Sequence, residues 1–454
     1  MYQSPVSFIS PLSPADYSSD DAHRRETNAL FRRFWQPVGV SSALSRSGDQ
    51  VTAEFGEIPV VVRNFDGRLT ALHNVCSHRH CRLVSQPHSR SEKLKCPFHG
   101  WEFGADGRTR KIPAARNFPA FDRDRYRLQE FELDNCGDLI FVRCGRSGPS
   151  LREWLGEHFE MFAEWFSAPV WALSMQRHLS FPANWKIPIE ASLESYHIPE
   201  VHPATFGIDP GEDLSRHAFS ANSSSFYTAF NTPRLVDRAL RTVESAVHAV
   251  LGRTFSGKYE HHHVLPNLLV SHTDSLTVVQ TVAPVTATTS ESRVWQFGLC
   301  SRRSNPLSRM TAWTWRHFTA RLALRILHED IRMYPHIQAG VSGRHRPAIL
   351  ERCEERLHTF QQFVYDHAGS VASVDGASVD GAADGVAENC SGCAAEEKES
   401  TVARSEGRLS VQPERQDSTG DRSLPRDRTC LRDPAGSGGS QRRCQFSVVT
   451  GRGP

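Results

Sequence analysis

Two short segments combine cysteine with histidine in a way that constrains how the chain around them must fold. The first is Cys76-Ser-His78 and the second, after residues 79–95, is Cys96-Pro-Phe-His99. Thiolate and imidazole groups are ligands that zinc and iron–sulfur centres use. Four such ligands on two loops require that the loops lie side by side around one metal centre.

The order of the ligands distinguishes between two kinds of centre. Structural zinc sites usually begin with Cys-x2-4-Cys or end with His-x3-5-His, whereas each pair here mixes the two residue types. In a Rieske centre, two thiolates hold one iron of a two-iron, two-sulfur (2Fe-2S) cluster and two imidazoles hold the other. The pattern therefore favours a Rieske cluster, which transfers single electrons, over a zinc knuckle. Its predicted ligands are Cys76, His78, Cys96 and His99.

The stretch CSHRHCRLV…KCPFHGWEFGADGR resembles the Rieske non-heme iron oxygenases, specifically their large catalytic (α) subunit. One departure is His80, where the family commonly has Gly. Respiratory Rieske proteins join the two loops by a disulfide, but here Phe98 occupies the position of the partner that Cys81 would need. We therefore expect a reducing compartment, and interpret Cys81 as a small buried thiol and not a ligand.

Composition narrows the class of protein further. The length of 454 residues suits two medium-sized domains, and the net charge of +2 gives no general case for binding nucleic acid or a membrane. There is no run of eighteen apolar residues and the N-terminus lacks a signal-peptide layout. We expect a cytoplasmic protein without nucleic-acid or membrane partners.

The sequence predicts an α+β fold in five parts. A flexible N-terminal arm rich in Ser, Pro and Asp covers 1–33, and an all-β Rieske domain of short strands covers 34–146. A helical connector (147–171) leads to a catalytic domain (172–368). A tail poor in large apolar residues (369–454) is predicted to be disordered. The spacing of Cys390 and Cys393 in the tail is too loose to favour a further metal site.

The catalytic domain mixes predicted strands with a long helix from about Met310 to Tyr334. That helix places Trp313, Phe318 and Leu322 on a predicted apolar stripe. An antiparallel sheet wrapped on a long helix suits this pattern. The family resemblance implies such an arrangement, the helix-grip (START-like) fold.

A second metal site is predicted around His197 and His202. Glu194 and His197 are three residues apart, which places them on one face of a predicted helix, and Pro199 is expected to end or kink that helix so that His202 folds back. Two imidazoles and one carboxylate form a facial triad that holds Fe(II) with open positions for O2 and substrate. The residues themselves leave four candidate carboxylates: Glu194, Glu200, Glu329 and Asp330.

The resemblance implies a role for each of two carboxylates. Asp330, in a helical Glu-Asp pair, is implied as the third ligand of mononuclear iron beside His197 and His202. Glu194 is implied to bridge subunits of a homotrimer, hydrogen-bonding a cluster-ligand His of one subunit and an iron-ligand His of the next. Glu at this position, where many relatives have Asp, resembles the branch that acts on quaternary amines such as choline or carnitine.

The predicted function is that of a Rieske mono- or dioxygenase. It would use O2 and electrons from the cluster to hydroxylate, dihydroxylate or oxidatively demethylate a small aromatic or quaternary-amine substrate. No Gly-rich dinucleotide motif follows a predicted strand, so a separate NAD(P)H-dependent reductase, with or without a ferredoxin, would supply the electrons. Seven cations of the Rieske segment form a candidate docking face for an acidic donor: Arg79, Arg82, Lys93, Lys95, Arg108, Arg110 and Lys111.

Two alternatives remain open at this level. A Rieske-type electron carrier with an appended ligand-binding domain would explain residues 34–144, but it leaves His197, His202 and Asp330 without a purpose. A zinc-stabilised binding protein would lack redox chemistry altogether. Visible absorbance separates the zinc protein from the other two, and iron content separates those two from each other.

Overall fold

Two seven-stranded antiparallel sheets form the framework of the protein. The structure, a computed structural model, describes residues 2–4, 6–118, 121–145, 147–205, 209–229, 235–344 and 346–370. An all-β part precedes a part that mixes helices with a sheet, which confirms the predicted α+β class. The predicted disordered tail, with Cys390 and Cys393, lies outside the described residues from 371 onward.

The strands and helices follow one another along the chain with short connections. The strands are β1 (Phe8–Ile9), β2 (Gln36–Val40), β3 (Asp49–Phe55), β4 (Ile58–Phe65), β5 (Arg68–His73), β6 (His88–Arg90), β7 (Leu94–Lys95), β8 (Glu102–Phe103), β9 (Thr109–Lys111), β10 (Glu130–Cys136), β11 (Leu139–Arg143), β12 (Trp171–Phe181), β13 (Ser215–Phe219), β14 (Ser223–Ala229), β15 (Lys258–Val264), β16 (Leu268–Thr273), β17 (Leu276–Thr286), β18 (Thr289–Leu299) and β19 (Ile349–Leu350). The helices are α1 (Asp20–Glu26), α2 (Leu151–Leu155), α3 (Phe159–Trp165), α4 (Lys186–Ser192), α5 (Ile198–Val201), α6 (Gly211–Leu214), α7 (Leu235–Leu251), α8 (Pro306–Ile331), α9 (Tyr334–Ser342) and α10 (Glu355–Ala368).

The N-terminal segment is packed against the catalytic part of the chain, and the prediction of a flexible arm over 1–33 is wrong for most of its length. Strand β1 pairs with β19, and Leu12, Tyr17 and Phe31 are buried in one apolar core with residues of α4 and α10. The carboxylate of Glu26 accepts hydrogen bonds from Trp185 Nε1 and Lys186 Nζ, both at 2.6 Å. The composition of this segment could not predict these contacts, because each of them depends on a partner far away in the sequence.

The first large sheet has the strand order β2-β11-β10-β5-β4-β3-β6, and β7-β8-β9 form a small separate sheet. The loop after β5 carries Cys76 and His78, and the turn between β7 and β8 carries Cys96 and His99. A buried apolar cluster that includes Leu94 lies beneath both loops. The two predicted ligand pairs therefore project from a rigid β-framework.

The connector contains α2 and α3, separated by a 3-10 turn over Gly156–His158. Ser150 begins it with a capping box, in which its side chain accepts from the Glu153 amide and the Glu153 carboxylate accepts from the Ser150 amide. Trp154 and Phe162 are fully buried in a core shared with Phe141 of β11. The connector is therefore helical, although the 3-10 turn interrupts the helix.

The second large sheet has the order β12-β18-β17-β16-β15-β14-β13. Helix α8 packs on one face of this sheet, where Gln296 Nε2 donates to Thr319 Oγ1 at 3.2 Å. Helix α10 packs on the same face, where the rings of Phe360 and His263 lie 5.4 Å apart. A sheet with helices gripping one face is consistent with the predicted helix-grip domain.

The buried side of α8 differs from the predicted apolar stripe. Trp313 and Phe318 are 55% and 45% exposed, whereas Ala312, Thr319 and Ala323 face the sheet. Trp315 is buried with them, so the buried face of α8 lies to one side of the predicted stripe. No helix in the described part of the chain has the length and apolar character that crossing a membrane requires.

Candidate metal centres

The two cysteine loops have the same backbone design. The amide of His80 donates to the Cys76 carbonyl at 2.9 Å, and the amide of Gly100 donates to the Cys96 carbonyl at 3.0 Å. His80 and Gly100 both have positive φ, at 55° and 73°. Gly is suited to this conformation, whereas His pays a steric cost in it. The departure from the family pattern at His80 is thus accommodated without changing the shape of the loop.

The donor set of these loops fits a 2Fe-2S cluster. Burial disfavours the thiolate of Cys96, but the amides of His99 and Phe98 point to its sulfur and lower the pKa of this thiol. Amides of His78 and Arg79 point in the same way to the sulfur of Cys76, although burial raises the pKa of that thiol to about 11. The His78 Nδ1 atom is buried and has no hydrogen-bond partner among the described residues. An unpartnered imidazole nitrogen beside two amide-flanked thiols matches the ligand chemistry of a Rieske centre.

Aromatic packing holds the imidazole side of this centre. The His78 ring stacks on Trp101 at 4.8 Å, with an angle of 6° between the planes, and lies 4.7 Å from the His99 ring. His99 is exposed at the tip of its loop. Cys81 is a free thiol, but it is only partly buried, whereas the sequence predicted a buried one. The motif contained Trp101, but its stacking role depends on tertiary geometry that the sequence does not show.

The second site is built on a break between two short helices. Helix α4 ends at Ser192, Glu194 lies in the turn that follows, and His197 and His202 flank α5 at its two ends. Pro199 lies in the first turn of α5, a position that tolerates proline because the missing N–H has no acceptor there. The predicted shared helix face of Glu194 and His197, and the predicted stop at Pro199, are therefore wrong. The two histidines are nevertheless brought together, with ring centroids 5.2 Å apart.

Asp330 completes a group of three converging ligands. It is the penultimate residue of α8, and its Oδ1 lies 2.9 Å from His202 Nε2 and 3.5 Å from His197 Nε2. The three ligand atoms all lie within 4.8 Å of one another. Two imidazoles and one carboxylate in this arrangement fit a facial triad for Fe(II).

The outer nitrogens of both imidazoles are held by carboxylates. His197 Nδ1 lies 2.5 Å from Glu194 Oε1, and His202 Nδ1 lies 2.9 Å from Glu329 Oε2. A carboxylate on Nδ1 fixes that nitrogen as the N–H donor and leaves Nε2 free to bind metal. Of the four candidate acids, Asp330 lies beside the two Nε2 atoms, whereas Glu194 and Glu329 are hydrogen-bonded to the Nδ1 atoms. Glu200 is exposed.

The electrostatics of the group suit a bound cation. Burial disfavours a charged His197, yet hydrogen bonds to Asp330 and Glu194 outweigh it and raise the pKa of the ring to about 10. At Asp330, burial favours the neutral acid, but hydrogen bonds with the His197 and His202 rings outweigh it and lower the pKa of the carboxyl. The site therefore stabilises positive charge on the imidazoles, and a bound divalent ion would replace the protons on their Nε2 atoms.

The run His261-His262-His263 does not form a comparable group. Among the described residues, the three-ligand set of the second site is the one candidate metal group of this kind. His263 Nε2 lies 3.0 Å from the Pro266 carbonyl, and His262 Nδ1 lies 2.8 Å from Ser225 Oγ. These contacts indicate a structural role for the run.

The fold thus combines a ligand set that fits a Rieske cluster with a separate triad that fits a mononuclear metal ion. Residues 34–129 match the family profile described as "Rieske [2Fe-2S] domain", and residues 169–370 match "Ring hydroxylating alpha subunit (catalytic domain)". The chain therefore belongs to the Rieske oxygenases of the ring-hydroxylating α-subunit type. The predicted family and the predicted cluster-binding domain are confirmed.

Curated relatives cover part of the chain. The glycine betaine monooxygenase oxygenase subunit of Pseudomonas aeruginosa is 31% identical over 176 residues, which are 38% of this chain and 40% of that protein. The carnitine monooxygenase oxygenase subunit of Escherichia coli is 30% identical over 189 residues, or 41% of this chain and 50% of that protein. The chlorobenzene dioxygenase α subunit of a Cupriavidus strain is 27% identical over 190 residues, 40% of this chain and 42% of the relative. The alignments thus span no more than half of each of these relatives.

Solved structures show the fold over a longer stretch. A quaternary ammonium Rieske monooxygenase in complex with L-carnitine aligns with a TM-score of 0.63 at 18% identity, covering 80% of this chain and 97% of that one. A naphthalene 1,2-dioxygenase variant aligns with a TM-score of 0.61 at 19% identity, covering 77% and 85%. At this level of identity the comparison establishes the architecture.

Proposed function

We propose that this protein is the oxygenase component of a multi-protein system, which oxidises a small organic substrate with O2. The observation that carries the proposal is the presence, in one chain, of a Rieske ligand set and a separate triad of His197, His202 and Asp330. An electron carrier alone has no use for the triad. Residues 34–146 would form the electron-transfer domain, 147–171 the connector and 172–368 the catalytic domain.

Cys76 and Cys96 would hold one iron of the cluster, and His78 and His99 the other. The amides directed at both sulfurs stabilise thiolate charge, and they disfavour ligand loss when the cluster takes up an electron. His99, which is exposed, provides an edge through which electrons can leave. Trp101 would fix the plane of the His78 ring.

His197, His202 and Asp330 would bind mononuclear iron, which when present supplies the activation of O2. Glu194 and Glu329 would keep both imidazoles in the metal-binding tautomer and orientation. Three protein ligands on one face leave the opposite face open to O2 and to the substrate. We infer mono- or dioxygenation, or oxidative demethylation, as the class of outcome.

Glu194 would also relay electrons between subunits of a homotrimer. It is positioned on the outer nitrogen of an iron-ligand histidine, and the exposed His99 of a neighbouring subunit is the matching donor on the cluster side. A carboxylate between two imidazoles gives a short hydrogen-bonded path. A monomer with full activity in sedimentation analysis would contradict this assembly.

A separate NAD(P)H-dependent reductase, with or without a ferredoxin, would reduce the cluster in the cytoplasm. Among the seven cations of the candidate docking face, four pair with neighbouring acids: Arg82, Lys93, Arg108 and Arg110. Arg79 instead lies over the ring of Phe98, which is 54% exposed beside His99. Arg79 and the exposed Lys95 are the cations best placed to meet an acidic donor. Turnover that is insensitive to ionic strength would contradict this docking surface.

The substrate class is proposed from the relatives and from Glu194. The glycine betaine and carnitine monooxygenases favour a quaternary amine, and the chlorobenzene and naphthalene enzymes keep an aromatic ring as the second candidate. The test is O2 uptake by the iron-loaded protein with a reductase, across quaternary amines and aromatic acids. Substrate-dependent uptake with matching product supports the function, and a protein that carries both metals but oxidises none of the panel contradicts it.

A further inference from the structure

A cavity of about 960 Å³ lies between the cluster-bearing part of the chain and the catalytic part. Its walls come from α1 and the turn that follows it, from β3 and β6 of the first large sheet, and from β12, β17 and β18 of the second. Where the two parts meet, His88 Nε2 lies 2.8 Å from Gln176 Nε2. None of the described residues that line the cavity belongs to the two metal centres. Its volume is in the range of sites that bind small molecules.

The described lining of this cavity carries more positive than negative charge. Five arginines and three glutamates give it a net charge of +2 before the histidines are counted: Arg24, Arg32, Arg82, Arg177 and Arg293, with Glu54, Glu57 and Glu291. Burial lowers the pKa of His23 and of His88, so both rings are neutral at pH 7. The excess charge therefore comes from the guanidinium groups, which stay protonated at any physiological pH.

The acids of the lining are already engaged by other groups. Each glutamate has a partner within the cavity wall: Glu54 pairs with Arg82, Glu57 lies 3.6 Å from Arg32, and Glu291 lies 3.0 Å from His178. Arg24 pairs with Asp21 at 3.6 Å, outside the lining. Over the described part of the chain, Arg177 and Arg293 are the two lining arginines that remain without an ion pair.

Arg177 and Arg293 lie on adjacent strands, close to one another in the sheet. In the pairing of β12 with β18, Arg293 is opposite His178, the residue that follows Arg177. Arg177 Nη1 donates to the Gln176 carbonyl at 2.7 Å, whereas the Arg293 guanidinium makes no hydrogen bond to another described residue. Burial lowers the pKa of Arg293, and the charges of acids nearby offset only part of this effect. Two guanidinium groups with N–H donors to spare therefore line one wall of the cavity.

The wall formed by α1 contains polar atoms without a partner. His23 and Thr27 are four residues apart, and Arg32 follows in the next turn. His23 Nδ1, Thr27 Oγ1 and Arg32 Nε are buried and have no hydrogen-bond partner among the described residues. Buried polar groups are nearly always hydrogen-bonded, so three together in residues that line one cavity indicate a partner that the chain does not supply.

We propose that this cavity binds a small phosphate ester, whose phosphate group is held by Arg177 and Arg293. A phosphate group carries a charge of about −1.5 to −2 at pH 7 and three strong acceptor oxygens, which match the net charge of the lining and its spare N–H donors. The described lining contains no Phe, Tyr or Trp on which a nucleotide base could stack, so the ester has a non-aromatic body.

The site is separate from the proposed oxidation chemistry. A ligand in the cavity contacts β3 of the cluster-bearing sheet and both β12 and β18 of the catalytic sheet at once. It would hold these two parts of the chain together and stabilise the folded protein as its concentration rises. Loss of this site would leave iron binding at both centres unchanged.

The test measures binding to the full-length, iron-loaded protein by calorimetry, without reductase or turnover. The probes are glycerol 3-phosphate and glucose 6-phosphate, with glycerol and glucose as their neutral counterparts and citrate as a carboxylate of similar charge. At least one ester should bind with a Kd below about 1 mM and at least tenfold more tightly than its neutral counterpart. Failure of both esters to bind overturns the proposal. Citrate that binds as tightly as the better ester overturns the assignment to phosphate.

Variants locate the bound ester. Arg177→Met and Arg293→Met should each weaken binding about tenfold, and Arg293→Lys should lose less than Arg293→Met because it keeps the charge without the planar fork. Arg177 is exposed, so its replacement leaves the fold intact even if Arg293→Met proves unstable. The matched control is Arg321→Met, because Arg321 is exposed on α8, away from the cavity lining. Affinity that is unchanged in Arg177→Met, or that falls equally in Arg321→Met, overturns the proposed site. Iron content and cluster absorbance report separately on the proposed function.

Discussion

The ring of His202 is held from both sides by two consecutive residues of α8. Its Nδ1 lies 2.9 Å from Glu329 Oε2, and its Nε2 lies 2.9 Å from Asp330 Oδ1. Glu329 is itself fixed by Thr205 Oγ1 at 2.7 Å and by Arg325 Nε at 3.3 Å. One end of a single helix thus supplies both a proposed metal ligand, Asp330, and the group that orients the proposed ligand His202.

Removing Glu329 should weaken mononuclear metal binding without affecting the cluster. We expect Glu329→Ala to lower the affinity for Fe(II) or Co(II) about 10- to 100-fold, because the His202 ring loses its orienting partner. Glu329→Gln keeps a hydrogen-bond acceptor and should lose less. Anaerobic titration with Co(II) measures the affinity, and cluster absorbance serves as the internal reference. The exposed Glu200→Ala is the matched control; equal affinities in Glu329→Ala and this control would exclude the orienting role.

Changing Glu194 should slow electron transfer while both metal sites stay filled. Glu194→Gln retains the size of the side chain but removes the charge that attracts two imidazole N–H groups, so reoxidation of the reduced cluster should slow about tenfold or more. Single-turnover stopped-flow absorbance follows this step directly. A rate equal to that of the unmodified protein, with full iron content, would remove the relay role from Glu194.

The ion pair between Lys186 and Glu26 should matter for stability. Both side chains are buried, and Nζ lies 2.6 Å from the carboxylate. Lys186→Met leaves the acid buried and unpaired, which should cost about 3–5 kcal/mol in the free energy of unfolding. The double variant Glu26→Gln, Lys186→Met should recover much of this loss. Denaturant unfolding measures both, and a loss below about 1 kcal/mol would show that the N-terminal segment is not anchored by this pair.

Stability should fall on acidification because several histidines are buried in their neutral form. Burial lowers the pKa of His158 to about 4 and that of His272 to about 4. Between pH 6.5 and 4 the unfolded chain binds protons that the folded protein does not, so each ring removes up to about 1.4 kcal/mol of stability per pH unit. Above pH 6.5 these residues should contribute no slope. Unfolding curves of the protein and of His158→Gln test this, and identical slopes in the two would contradict it.

The parts of the site that can be predicted are those that depend on residue type and spacing within one short segment. The spacing of Cys76, His78, Cys96 and His99 identifies the cluster loops because the metal imposes both residue type and separation. The grouping of His197 with His202 was also foreseen, although the helix break was placed wrongly at Pro199. The break precedes Glu194, and proline is tolerated at the start of the next helix.

The features that were missed depend on contacts between distant residues. The family resemblance implied Asp330 as a ligand, but the role of Glu329 was not predicted, because only the orientation of α8 decides that Glu329 faces Nδ1 and Asp330 faces Nε2 of the same ring. The anchoring of Glu26 by Trp185 and Lys186 joins residues that are far apart in the chain. The exposed position of Trp313 likewise follows from helix-to-sheet packing and not from hydropathy.

Iron stoichiometry tests most directly whether one chain carries two different iron centres. The protein is reconstituted anaerobically with iron and sulfide, and iron, acid-labile sulfide and the spin resonance of the reduced state are measured. We expect three iron atoms and two sulfides per chain, falling to two irons with unchanged cluster absorbance in Asp330→Ala. A colourless protein, or a coloured one whose iron content is two with or without Asp330, would contradict it.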